Sequence, residues 1–187
     1  MGPAGSATLL GLAVVVILLW GLYTRIRLVR LRAKAEASWS DIDAQLRRRW
    51  DLVPDLVDAV RGCVPHERTI FERAAAALAL ALDATTPPAK AEAEQGLKDA
   101  LFPVFALAEG CPNLAESERF LAMQRVLEEA GDAIERSRRT YNATVRELNA
   151  AVLRFPRSLV AGLFRFSPRR YYALPEDEMR EALGVGR

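Results

Sequence analysis

His66-Glu67-Arg68-Thr69-Ile70 opens like the helical metal motif H-E-x-x-H, in which two histidines one turn apart hold zinc. The second histidine is absent, because Ile70 stands in its place. His66 is the chain's one histidine. A two-metal carboxylate site in a helical bundle needs a Glu-x-x-His pair on each of two helices, so that arrangement is excluded too. Asp51, Asp55 and Asp58 share one helical face, but Arg47 and Arg48 lie one turn before them, which reads as a solvated charged face. No G-x-S-x-G elbow and no glycine-rich phosphate loop occurs. Cys63 and Cys111 lack a credible base, since His66 lies three residues beyond Cys63 across Pro65. These residues predict no catalytic site, no metal, no cofactor and no enzyme.

The remaining reactive features are equally plain. Two cysteines cannot make a disulfide framework, and they read as two small, buried or half-buried free thiols. Lys plus Arg number 26 against 24 Asp plus Glu, a net charge of +2, which shows no dominant basic stripe for nucleic acid. Arg47-Arg48-Arg49 and Arg138-Arg139 interrupt acid-rich helical stretches and read as surface charge. Alanine, leucine, arginine and glutamate dominate while isoleucine and threonine are scarce, as expected of helices rather than sheet.

The elements that must position these side chains begin with an apolar segment. Residues 1–24 carry no charge, and Ala7 to Tyr23 is almost wholly apolar, at the short end of the range that spans a bilayer. Trp20 and Tyr23 close it, where amphipathic rings favour the membrane interface. Arg25, Arg27, Arg30, Arg32 and Lys34 follow. A cleaved signal peptide would open on a basic region, and none is present, so a retained anchor is expected. The charge asymmetry predicts a short N-terminus outside and a cytoplasmic C-terminal domain.

Beyond the anchor, Trp39, Ile42, Leu46, Val53, Leu56 and Val60 form an amphipathic helical stripe interrupted by Pro54, where a kink or break is expected. A second, alanine-rich helix is predicted over 66–82 and a third over 89–109, the latter kinked at Pro103. The fourth and longest runs over 114–155, with Phe120, Met123, Leu127, Ala130, Ile134, Tyr141, Val145, Leu148 and Val152 as its stripe. Asn113 is its expected cap, with Glu116 three residues on. Nothing alternates with period two. The predicted fold is all-α: a transmembrane helix, residues 1–24, then an antiparallel four-helix bundle over 25–172, made of two long helices and a shorter helical hairpin. Residues 173–187 read as an acidic, flexible tail.

Between Arg157 and Tyr172 the sequence offers Leu159, Val160, Leu163, Phe164 and Phe166, with Arg157, Arg165, Arg169 and Arg170 around them. This segment is too short to span. It either folds back onto the bundle or meets lipid headgroups or a membrane partner. Trp20, Tyr23, Leu159, Val160, Leu163, Phe164, Arg165 and Phe166 are therefore the candidate membrane- or partner-contact residues.

Residues 37–57, ASWSDIDAQLRRRWDLVPDLV, resemble the signature of the LemA family. So do Tyr141-Asn-Ala-Thr-Val-Arg-Glu-Leu-Asn149, Phe155-Pro156 and Leu159-Val-Ala-Gly-Leu-Phe164. The resemblance implies a bacterial single-pass membrane protein with an antiparallel helical bundle, no established enzymatic activity and no cofactor. The sequence departs from that pattern at Cys63 and Cys111, where aromatics are usual, at the extra breakers Pro65 and Pro103, and at Gly131-Asp132. If the first and third helices run parallel, the two cysteines lie at one bundle end and a contact between them is open. Two functions fit: an interaction or scaffold module with the bilayer and membrane proteins as partners, or a regulatory bundle holding a small apolar or lipid molecule between its second and third helices.

Overall fold

The computed structural model describes residues 3–173, and side chains from residue 10 onward. It is all-α, with no strand among the described residues. Helix α1 runs Pro3–Trp50, α2 Val53–Cys63, α3 Arg68–Asp83, α4 Pro87–Glu109, α5 Pro112–Ala115, α6 Glu118–Leu153 and α7 Arg157–Leu163. Near its start, α1 contains an 18-residue stretch of mean hydropathy 1.9 that is 11% buried, long and apolar enough to cross a membrane.

The breaks follow from backbone chemistry. Pro54 has no N–H for the carbonyl of Trp50 and its ring crowds that carbonyl, so α1 stops at Trp50 and α2 restarts with the proline in its first turn. The helix at 87–109 starts cleanly because Thr86 accepts from the Ala89 N–H and Pro87 has no N–H to leave unpaired. It continues through Pro103 without ending. The predicted cap at Asn113 is not the one used. Residues 112–115 form the short α5, and Ser117 caps α6: its Oγ accepts from Phe120 N at 3.3 Å and donates to the Leu114 carbonyl at 2.8 Å.

Two compact units result, one of residues 1–37 and 143–169, the other of 38–142 and 170–187. In the first, Leu28 and Leu31 of α1 pack with Leu148, Ala151 and Val152 of α6 and Ala161 of α7. Arg27 Nη2 reaches Glu147 at 2.8 Å. In the second, the predicted stripe is the core: Ile42, Leu46, Val53, Leu56 and Val60 are all essentially inaccessible, as are Leu97, Leu101 and Val104 of α4. Trp39 of α1 pairs with Tyr141 and Asp55 of α2 with Arg119, so within this unit α6 runs opposite to the chain direction from α1 to α2.

Candidate functional site

The stretch from Tyr141 to Asn149 is a clamp. Asn149 holds the backbone of Arg169 at both ends, accepting from its N–H at 2.8 Å and donating Nδ2 to its carbonyl at 2.9 Å. Asn142 grips Tyr172 in the same way, at 2.9 and 3.1 Å. The Tyr141 hydroxyl donates to the Arg170 carbonyl at 2.8 Å. A side-chain amide, which both donates and accepts, replaces the partner strand that an irregular segment lacks. Sequence reasoning noted this motif but not what it does.

Between Asn149 and the Arg169 backbone it holds, α7 lies on α1. The Arg25 guanidinium sits 5.0 Å from the Phe164 ring, and Phe166 packs against the cluster around Ala161. The helix ends in a Schellman turn: Phe166 N–H bonds to the Ala161 carbonyl and Arg165 N–H to that of Gly162. Arg165 holds φ at 55°, a left-handed conformation where glycine is usual. Of the predicted contact residues, Trp20, Tyr23, Leu159, Leu163, Phe164 and Arg165 are exposed. Val160 and Phe166 are not: Val160 is 8% exposed and Phe166 is half-buried against the unit's core. Val160 faces inward because a helix resting on α1 must turn one side to it, and the turn that ends α7 brings Phe166 back against the same cluster. Leu153, at the end of α6, and Phe155 just after it are exposed as well.

A buried polar network crosses the second unit. Lys90 pairs with Asp43 and lies 5.6 Å from the rings of both Trp39 and Trp50. Glu94 accepts from Trp50 Nε1 at 2.9 Å and meets Arg49 Nη1 at 2.9 Å. The Arg49 contact is close but off-angle, so it is an ion pair that leaves Glu94 Oε1 without a hydrogen bond. Arg49 therefore departs from the surface-charge reading of Arg47-Arg48-Arg49; only the first two are exposed. A signal was available: Lys90 and Glu94 occupy the stripe positions continued by Leu97, Leu101, Val104 and Ala108. Burial opposes ionisation of Asp43, yet Lys90 and Arg47 outweigh it and hold the carboxyl below its usual range. Burial pushes the Tyr172 hydroxyl well above the ordinary tyrosine range, keeping it protonated.

The LemA family profile matches residues 38–186, most of the chain, including the clamp and α7. The chain belongs to the LemA family. No curated protein matches it. The LemA match begins at Ser38, beyond the apolar part of α1.

The expectation of two free thiols is corrected at the positions where this chain departs from the LemA pattern. Cys63, at the end of α2, and Cys111, at the cap of α5, form a disulfide with Cα atoms 6.5 Å apart. Sequence reading placed both at helix ends but could not measure the gap. Among the described residues no His, Cys, Asp and Glu group could hold a metal ion.

Proposed function

We propose that this LemA protein is a single-pass membrane-anchored interaction module, with its bundle on the cytoplasmic side and membrane proteins as partners. The observation that carries the reading is the continuity of α1. One helix runs from an exposed apolar stretch fit for lipid into the packed core of a water-soluble bundle, with no break before Trp50. The bundle's outer surface offers Leu80 of α3 and Phe102 of α4, 68% and 76% exposed, as positions from which a partner can be trapped.

Two measurements test this. The protein should resist extraction from membranes by alkaline carbonate; release would remove the anchor. A photocrosslinker at position 102 or 80 in native membranes should give discrete protein adducts that compete with the unlabelled chain. No adduct at either position would remove the scaffold role.

A second reading is favoured by an open groove of about 490 Å³ between α3 and α4, lined by Ala77, Leu80, Ala84, Ala89, Ala93 and Gly96 and edged by the carboxylates Asp83 and Glu92. Small side chains leave a trough of the size that small apolar ligands occupy. Filling it with Ala93→Leu should then abolish a ligand response while leaving the neighbours crosslinked from position 102 unchanged.

A further inference from the structure

We infer that α7 and the turn before it are an interfacial foot, seated in the headgroup layer of an anionic bilayer. The inference rests on the anchored reading above and adds a second, peripheral lipid contact to it.

The placement of α7 comes first. Its contacts on α1 are Arg25, Leu28 and Leu31. Arg25 lies only two residues, about 3 Å of helix, past Tyr23, where the apolar stretch ends. That stretch, Ala7 to Tyr23, is about 26 Å long as a helix, against about 30 Å of hydrocarbon. A short span draws the bilayer surface towards its flanks, so lipid reaches the level of Arg25 and of the helix packed on it.

The chemistry of the outer face comes second. Val160 and Ala161 already bury the inner side of α7, at 8% and 1% exposure. Yet Leu159 and Leu163 on the other side, and Phe155 just before, are 65%, 77% and 75% exposed. A helix apolar on both sides is at home only where both sides are covered. Within its unit only the inner side is.

Charge decides what covers the outer one. Residues 1–37 and 143–169 carry ten Lys or Arg and only two acids, Glu36 and Glu147, for a net +8. The whole chain has a net charge of +2, so the remaining residues carry −6. Both acids of the unit are engaged, Glu147 by Arg27 and Glu36 by Arg32 and Arg169. Arg154, Arg157 and Arg165 have no carboxylate partner among the described residues and flank the exposed apolar side chains. Basic residues ringing an apolar face match the headgroup–acyl boundary of an anionic membrane. Arg165 supports this independently. It occupies a left-handed position that glycine would fill without steric cost, so the chain keeps a cation where backbone geometry alone favours none.

The test uses the full chain, its disulfide intact, reconstituted in phosphatidylcholine vesicles with and without phosphatidylglycerol. A nitroxide is placed at Leu163→Cys or, as control, at Leu80→Cys. With phosphatidylglycerol present, the label at 163 should be accessible to oxygen and shielded from a water-soluble nickel chelate, while that at 80 stays in water. Arg154→Gln with Arg157→Gln and Arg165→Gln should lower the equilibrium constant for seating in lipid by about fivefold per charge removed. A label at 163 as wet as that at 80, or shielded from both reagents as in a protein contact, overturns the proposal. Equal seating in neutral vesicles overturns its anionic selectivity. Failure of the protein to co-float with vesicles would instead strike the anchored reading, which keeps the two failures apart.

Discussion

At the scale of single residues, the asparagines and the buried ion pair do the positioning. Asn142 satisfies a donor and an acceptor of a buried segment at once, so Asn142→Ala strands both. It should cost about 2–3 kcal/mol in urea unfolding, and Asn142→Asp should not restore it, since a carboxylate cannot donate. Asp43→Asn leaves the Lys90 ammonium, 7% exposed, beside a neutral partner. The loss should be about 2–3 kcal/mol, under the range for a fully buried pair because the Asp43 side chain is 24% exposed. The pH dependence follows from sign. Hydrogen bonds from Arg32 and Arg169 to Glu36 and from Arg138 and Arg139 to Glu135 hold these carboxyls below their ordinary range, as Lys90 does for Asp43. The unfolded chain therefore binds more protons near pH 4, so this stability is complete above about pH 5 and lost as pH falls through the folded values. Melting temperature against pH should be flat from 5 to 7 and fall below about 4, with a smaller acid drop in Asp43→Asn.

At the scale of elements, the helix ends and one interior glycine set the balance. Ser117→Ala removes the cap of α6 and should cost about 1 kcal/mol. Gly131 lies inside α6, and a Cβ there would meet Arg49 Nη1 at 3.7 Å, an ordinary contact. Gly131→Ala should therefore stabilise by about 0.5–1 kcal/mol; a destabilised variant would mean that Arg49 cannot tolerate the added methyl. Most of these elements were legible beforehand. The stripes of α1, α2 and α6 are the buried faces, and Pro54 breaks the helix as its missing N–H requires. The cap was misplaced because Asn113 and Ser117 both precede acidic residues, and the choice between them fell to α5, a single turn that leaves no periodicity to read.

At the scale of the whole molecule, the disulfide and the charge asymmetry bear on topology together. Five basic residues after the apolar stretch favour a cytoplasmic bundle, and a reducing cytoplasm keeps such a pair as thiols. An impermeant maleimide should then leave the exposed Cys63 unlabelled in intact cells and label it once the membrane is opened. Labelling of intact cells only after an impermeant reductant would place a bridged bundle outside and overturn the charge-based orientation. In purified protein, the bridge closes a 48-residue separation, so Cys63→Ser with Cys111→Ser should lose about 4 kcal/mol relative to the oxidised chain.

Local chemistry was enough to determine the helices, their buried faces and the apolar start of α1, because period, proline and composition act within a few residues of themselves. Tertiary structure alone decided that Lys90 and Glu94 are internal, that two asparagines clamp the chain about 20 to 30 residues further on, that Cys63 meets Cys111, and that Val160 and Phe166 turn in while Leu163 turns out. Each of these depends on which helix lies beside which, and no periodicity within one helix encodes its neighbour.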